Sequence, residues 1–220
     1  MQVSPYVSAN IKYFVLLCCT LIACSLSTIT ISKENGSKSQ EWHYTLRPSD
    51  NFQQVSKQLL NRKHTWSDLV RYNRIDNIAS LEPGSIIRVP IQWLKQQPKP
   101  AKTMSVSGSA QIKRIKDSYF KVLKANTPIN VGDEVATKNG TLLIKLADDS
   151  LIRLEKDSNL VFNKLSHYGK TGMVDTQLRL KKGSLSTEVT PLVKGSTYEI
   201  TTPSAVAAVR GTKFRLETTP

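Results

Sequence analysis

Apolar and polar positions follow different periods in successive parts of the chain. From Tyr13 to Ile31 the run is apolar, diluted by Thr20, Ser25, Ser27, Thr28 and Thr30. In His43-Tyr44-Thr45-Leu46 the two classes alternate, with Tyr44 and Leu46 on one face, which is the period of a half-buried strand. Arg47-Pro48-Ser49-Asp50 breaks that strand, and Ser49 or Asp50 is placed to cap the next helix. In that helix Phe52, Val55, Leu59 and Leu60 recur as one apolar stripe. Thr65-Trp66-Ser67-Asp68 has the form of a capping box, and Trp66, Leu69 and Val70 supply the apolar face of a second helix. Glu82-Pro83-Gly84-Ser85 is a turn, and Ile86-Ile87-Arg88-Val89 is a strand closed by Pro90. This block therefore predicts a strand–helix–helix–strand unit.

Beyond Val106 the period becomes that of short strands. Thr141–Leu146, Leu151–Leu154 and Leu160–Phe162 are aliphatic or β-branched runs. Turn signals separate the runs at Gly132-Asp133, Asn139-Gly140, Asp148-Asp149-Ser150, Asp157-Ser158-Asn159, Lys182-Gly183 and Lys194-Gly195. Such even spacing fits a sandwich or a solenoid of stacked rungs. The expected organisation is an N-terminal signal or anchor helix over 1–31, an α+β unit over 42–91, a basic Pro-containing linker over 92–104 and an all-β domain over 105–220. Pro98 and Pro100 would keep the linker extended, while Trp93 packs back on the α+β unit.

Charge adds a constraint on partners. Residues 91–125 hold Lys95, Lys99, Lys102, Lys113, Arg114, Lys116, Lys121 and Lys124 against the single acid Asp117, which is half of the net +14. A field of that sign favours polyanions such as anionic phospholipid, lipopolysaccharide or peptidoglycan carboxylates, but a solvated basic linker accounts for it without any specific anion site. No recognition helix, finger spacing or aromatic-interleaved RNA motif is present, so nucleic acid is not an expected partner.

The cysteines, Cys18, Cys19 and Cys24, all lie in the N-terminal segment. The run Tyr13–Ile31 is of a length that a signal peptide or a membrane anchor would have. Leu21-Ile22-Ala23-Cys24 resembles a bacterial lipobox, which implies lipidation of Cys24. Lipoprotein signal, retained anchor and cleaved signal peptide all place the remainder outside the cytoplasm, in a periplasm or cell envelope.

The 42–91 block resembles a LysM module. The likeness rests on the Tyr44-x-Leu46 start, Asp50, Phe52, Asn73 at the end of the second helix, the Pro83-Gly84 turn and the final Val89-Pro90. It implies binding of N-acetylglucosamine polymers such as peptidoglycan in a shallow groove between two loops. The matching positions are Ser49, Asp50, Asn51 and Phe52 on one side and Ile75, Asp76, Asn77 and Ile78 on the other. Their purely structural reading is that the polar residues cap helices and the apolar ones are core. The first loop, Ser49-Asp50-Asn51-Phe52, departs from the Gly-Asp-Thr-Leu usual in that family.

The β-domain resembles the periplasmic domain of the FecR family, named for regulators of iron-citrate uptake. The likeness is carried by Pro128–Thr137, Asp149–Leu154, Leu178–Leu185 and above all Thr201–Phe214. In the last string Pro203, Arg210, Gly211, Thr212 and Phe214 form the motif. Arg210 and Thr212 read as a structural turn clamp, the alternative being a partner contact. The resemblance implies further strands beyond Phe214, so the domain either closes differently here or is C-terminally truncated. Residues 1–12 are short for the cytoplasmic sigma-factor-binding segment of FecR regulators.

Catalysis is not expected. No cysteine follows Cys24, and His43, His64 and His167 are isolated from one another and from any metal-binding spacing. The acids of the β-domain sit in turns without a cue for the paired carboxylates of a glycosidase. No cofactor or metal is implied. The chain reads as a non-catalytic envelope protein that binds peptidoglycan through the LysM-like unit and offers the β-domain for protein interaction or scaffolding. The alternative is a periplasmic signalling component related to FecR regulators.

Overall fold

The computed structural model describes residues 40–218. These residues belong to one compact unit. The elements run β1 (Glu41–Thr45), α1 (Phe52–Leu59), α2 (Trp66–Asn73), a three-ten turn at Ile78–Ser80, β2 (Ile86–Pro90) and a second such turn at Ile91–Trp93. The strands β3 (Gln96–Pro98), β4 (Ala101–Ser107), β5 (Ala110–Lys113), β6 (Lys121–Val122), β7 (Pro128–Ile129), β8 (Glu134–Thr137) and β9 (Thr141–Lys145) come next. The chain continues through β10 (Leu151–Leu154), β11 (Asn159–Tyr168), β12 (Val174–Glu188), β13 (Thr197–Thr201), β14 (Val206–Ala208) and β15 (Lys213–Thr218).

The first block is a βααβ unit. β1 and β2 pair antiparallel with Tyr44 opposite Ile87, and α1 and α2 cover one face of this ribbon. A core of Leu46, Phe52, Leu59, Leu60, Leu69, Ile87 and Val89 lies between them, as the helical and strand periods require. The capping box forms: the Asp68 carboxylate accepts from the Thr65 backbone N–H at 2.8 Å and from its hydroxyl at 3.0 Å. Asn73 joins helix to sheet. Its amide donates to the carbonyls of Leu69 and Arg88, both at 2.9 Å, and its oxygen accepts from the Arg88 N–H at 2.8 Å.

The remaining strands build one curled sheet, a half-barrel around a core of Leu142, Ile144, Ile152, Leu154, Leu160, Phe162, Leu178, Leu180 and Leu185 with their neighbours. Every pairing among the described residues is antiparallel except β12 with β13. The solenoid alternative therefore does not hold, because stacked rungs would align in parallel whereas these strands return through tight turns.

The predicted turn at Lys182-Gly183 is also absent. Both residues lie inside the 15-residue strand β12, whose first half pairs with β11 and β13 and whose second half pairs with β10 and β15. Gly183, at φ +83°, bends the strand where it passes between these partners. A Cβ there would lie 2.6 Å from the Ser158 Cα and 2.7 Å from its Cβ. The buried Ser158 hydroxyl accepts from the Ser184 N–H at 2.9 Å and lies 3.0 Å from the carbonyls of Ser184 and Lys156. Across the core, the buried Tyr198 hydroxyl of β13 meets Thr187 of the second half of β12 at 3.0 Å.

The segment expected as a linker is instead built into the sheet. Gln96–Pro98 pairs with β11, and Ala101–Ser107 pairs with β7 and β9. Composition hid an alternation in which Ala101 and Thr103 point inward and Lys102 and Met104 outward, while Pro98 sits in a short strand whose only partner among the described residues is β11. Trp93 packs on the small core as expected, and Met173, fully buried, enters that same core from the β-domain. The Gln96 amide donates to the Tyr168 hydroxyl at 2.6 Å. The βααβ unit is thus fixed directly to the β-domain.

Candidate functional site

The loop pair singled out by sequence comes mostly to structural use. The Asp50 carboxylate accepts from the Tyr44 hydroxyl at 2.6 Å and from the Arg47 N–H at 2.8 Å. These two bonds hold its carboxyl below the usual range, while burial and the bond to Asp50 push the Tyr44 hydroxyl up. Asn51 caps α1 by accepting from the Gln54 N–H at 3.1 Å, and Asn77 caps its three-ten turn by accepting from the Ala79 N–H at 2.9 Å. Phe52 is 6% exposed, so its ring is core and is withheld from a ligand. Ile75 and Ile78 are half-buried against the same core. Ser49, Asn51, Asp76 and Asn77 remain exposed.

A concavity lies beside α1. A cleft of about 840 Å³ is lined by Asn51, Gln53, Gln54 and Lys57 of α1 and its cap, by Asn61, Arg62, His64 and Thr65 of the inter-helix loop, by Trp66, and by Lys95 and Gln96. It shares Asn61, Arg62, His64 and Gln96 with a second cleft of about 720 Å³ that reaches Trp93 and Tyr168. Trp66 stands at the first position of α2 with 37% of its surface exposed. Behind the cleft the His64 ring stacks on Trp93 with centroids 4.3 Å apart, and Tyr72 meets Trp93 edge-on at 5.2 Å. The loop is held by the Asn61 N–H donating to the Trp93 carbonyl at 2.8 Å and the Asn61 amide donating to the Gln92 carbonyl at 2.9 Å.

Chemically this lining includes one indole face, five amide side chains and three cations, Lys57, Arg62 and Lys95, with no acid among the described residues that line it. An exposed indole offers an apolar, electron-rich face. Amides donate and accept at adjacent atoms, and so match vicinal hydroxyls or an acetamido group. By periodicity Trp66 belongs to the apolar face of α2, and Gln54, Asn61 and Gln96 belong to no motif. The available signal was the density of Asn and Gln from Asn51 to Asn61 on the polar side of an amphipathic helix.

The Thr201–Phe214 motif forms the hairpin β13–β14 and the entry to β15. Pro203 is exposed at the hairpin turn, where the Thr202 N–H donates to the Ala205 carbonyl at 2.8 Å. Gly211 has φ +65°, and a Cβ there would lie 3.0 Å from the Pro191 Cα. The Thr212 carbonyl accepts from the Val189 N–H at 3.0 Å. Arg210 is exposed and makes no hydrogen bond or ion pair among the described residues, so its guanidinium does not clamp the turn. Backbone pairing and the close approach of Gly211 do that. Phe214 is half-buried and, with Leu143 and Leu151, lines a depression of about 440 Å³.

Cys24, with the lipidation expected of it, and the signal or anchor segment lie outside the described residues. Among the described residues no helix is long and apolar enough to cross a membrane, and no group of three metal-ligating side chains occurs. No curated protein and no solved structure matches the chain. Residues 133–220, the span that holds β8 to β15, match the family described as FecR protein.

Proposed function

We propose that this is a non-catalytic binding protein of the cell envelope whose βααβ unit holds an N-acetylglucosamine-containing glycan of the peptidoglycan type. The observation that carries the reading is the cleft beside α1, in which the exposed Trp66 indole stands among Asn51, Gln53, Gln54, Asn61 and Gln96. A pyranose ring has a C–H face suited to an indole, and its hydroxyl and acetamido groups suit the amides. Lys57, Arg62 and Lys95 would meet the carboxylates of peptide stems. Ser49, Asp76 and Asn77, exposed on the neighbouring loops, extend the surface available to a polymer. The βααβ unit travels with the β-domain it packs against, so that export and any N-terminal tether would raise the effective concentration of a weak glycan site near its polymer.

The test is co-sedimentation of residues 38–220 with insoluble peptidoglycan at moderate and high salt. Retention at both salt levels, lost in Trp66→Ala, is the expected result. Failure to sediment, or retention unaffected by Trp66→Ala and abolished by salt, refutes glycan recognition by the cleft.

The FecR family domain favours a second reading, a regulator-related role in which the β-domain relays the state of an envelope partner. Cross-linking in cells at Arg210, the exposed motif side chain, distinguishes the two, since a signalling contact yields a defined protein adduct and a passive platform yields none.

A further inference from the structure

The sheet edge at β6 carries an unusual combination. β5 and β6 form a hairpin, with Gln111 opposite Val122, and β6 is the terminal strand of the sheet order. Ile115 is 72%, Tyr119 65% and Val122 73% exposed. Large apolar side chains so displayed within eight residues mark a contact surface more than a chance exposure. Lys116 and Lys124 are exposed beside them and make no ion pair among the described residues, whereas Lys121 meets Asp117 at 3.0 Å.

The hairpin is held in place from below. Arg114 donates to the buried Asp133 carboxylate at 2.5 Å and to the Pro128 carbonyl at 2.8 Å. The Asp117 N–H closes the loop on the Arg114 carbonyl at 2.9 Å, and Ile115 lies over Gly132. Display of the apolar side chains is thus built into the fold, and little ordering remains to be done on docking.

We propose that this hairpin docks the β-domain on a bilayer surface rich in anionic phospholipid, with Ile115, Tyr119 and Val122 entering the headgroup region and Lys116 and Lys124 meeting the phosphates. Charge complementarity selects this partner. The apolar groups are interleaved with lysines along a narrow sheet edge, and the Lys121 ammonium lies 5.2 Å from the Tyr119 ring centre. An aromatic ring with a polar tip beside cationic stems suits the boundary between headgroups and acyl chains. Each lysine near such a surface adds attraction that salt removes.

The experiment uses residues 38–220, which contain both hydrophobic cores and every strand pairing described above, with vesicles of phosphatidylcholine and of phosphatidylcholine mixed with phosphatidylglycerol. The protein is expected to sediment with the mixed vesicles and not with pure phosphatidylcholine. Ile115→Ser/Tyr119→Ser/Val122→Ser is expected to weaken this binding by about tenfold or more, and Lys116→Gln/Lys124→Gln by about tenfold, with unchanged melting temperatures. No sedimentation with either vesicle overturns the proposal. So does binding that the triple serine variant leaves intact, since a general basic field would then suffice. The outcome is independent of peptidoglycan retention, because none of these residues lines the cleft.

Discussion

Replacement of Gly183 by alanine tests how β12 serves two sets of partners. At φ +83° an L-residue costs about 1–2 kcal/mol in backbone strain. The new methyl would also meet the Cα and Cβ of Ser158 at 2.6 and 2.7 Å, well inside contact distance, and one of these is backbone. Relief requires moving Ser158, whose hydroxyl accepts from the Ser184 N–H and faces the Ser184 carbonyl. Leaving those buried groups unpaired costs about 1–3 kcal/mol more. The expected loss is about 3 kcal/mol, or about 10 °C in melting temperature for a unit of this size. Equilibrium urea unfolding of residues 38–220 would measure it, with Gly169→Ala as the control. Gly169 has φ +50° and nothing within 4 Å of a built Cβ, so it should lose only about 1 kcal/mol. Equal losses at the two positions would refute the steric account of the bend.

Asn73→Ala removes two hydrogen bonds joining α2 to β2 and a third within α2, and an expected loss of about 2 kcal/mol is readable by the same unfolding experiment. Glu134 is buried, which raises its carboxyl, but Lys181 at 2.9 Å, Asn159 at 2.6 Å and the nearby Lys113 outweigh burial and hold it below the ordinary value of 4.5. The folded carboxyl being the stronger acid, its stabilisation is present above pH 4.5 and is lost as pH falls below that value through the folded pKa. A flatter stability profile in that acid range is expected for Glu134→Gln, and an unchanged profile would contradict the assignment. Trp66→Ala should weaken binding of soluble N-acetylglucosamine oligomers about tenfold in calorimetry without lowering the melting temperature.

Much of the candidate site could not be read locally. Asp50 was legible as a loop residue, but its bond to Tyr44 arises because β1 and the loop after it fold back on one another. The ring of Phe52 was a ligand candidate by position in a motif and became core once α1 settled on the ribbon. The cleft brings together Asn51, Trp66 and Gln96, residues far apart in sequence, and no spacing rule relates them. Arg210 shows the converse: a motif residue that invited a structural role stands exposed, while the backbone does the holding.

Periodicity determined the βααβ unit by itself, since its helices and strands each carry an apolar stripe and the cap of α2 uses the neighbouring residues Thr65 and Asp68; the cap of α1 fell to Asn51, one position past the expected Ser49 or Asp50. It also determined that the rest is β, and where most strands end, because turn residues act within a few positions. Only the tertiary structure decided that Lys182-Gly183 is a bend inside one long strand, because the same glycine chemistry serves a turn or a kink and the choice depends on Ser158 packed beside it. Likewise it decided that 96–107 belongs to the sheet, because the partners that satisfy its backbone, β7, β9 and β11, lie far onward in the chain. Local pattern fixes which face of an element is apolar; long-range pairing chooses what that face meets.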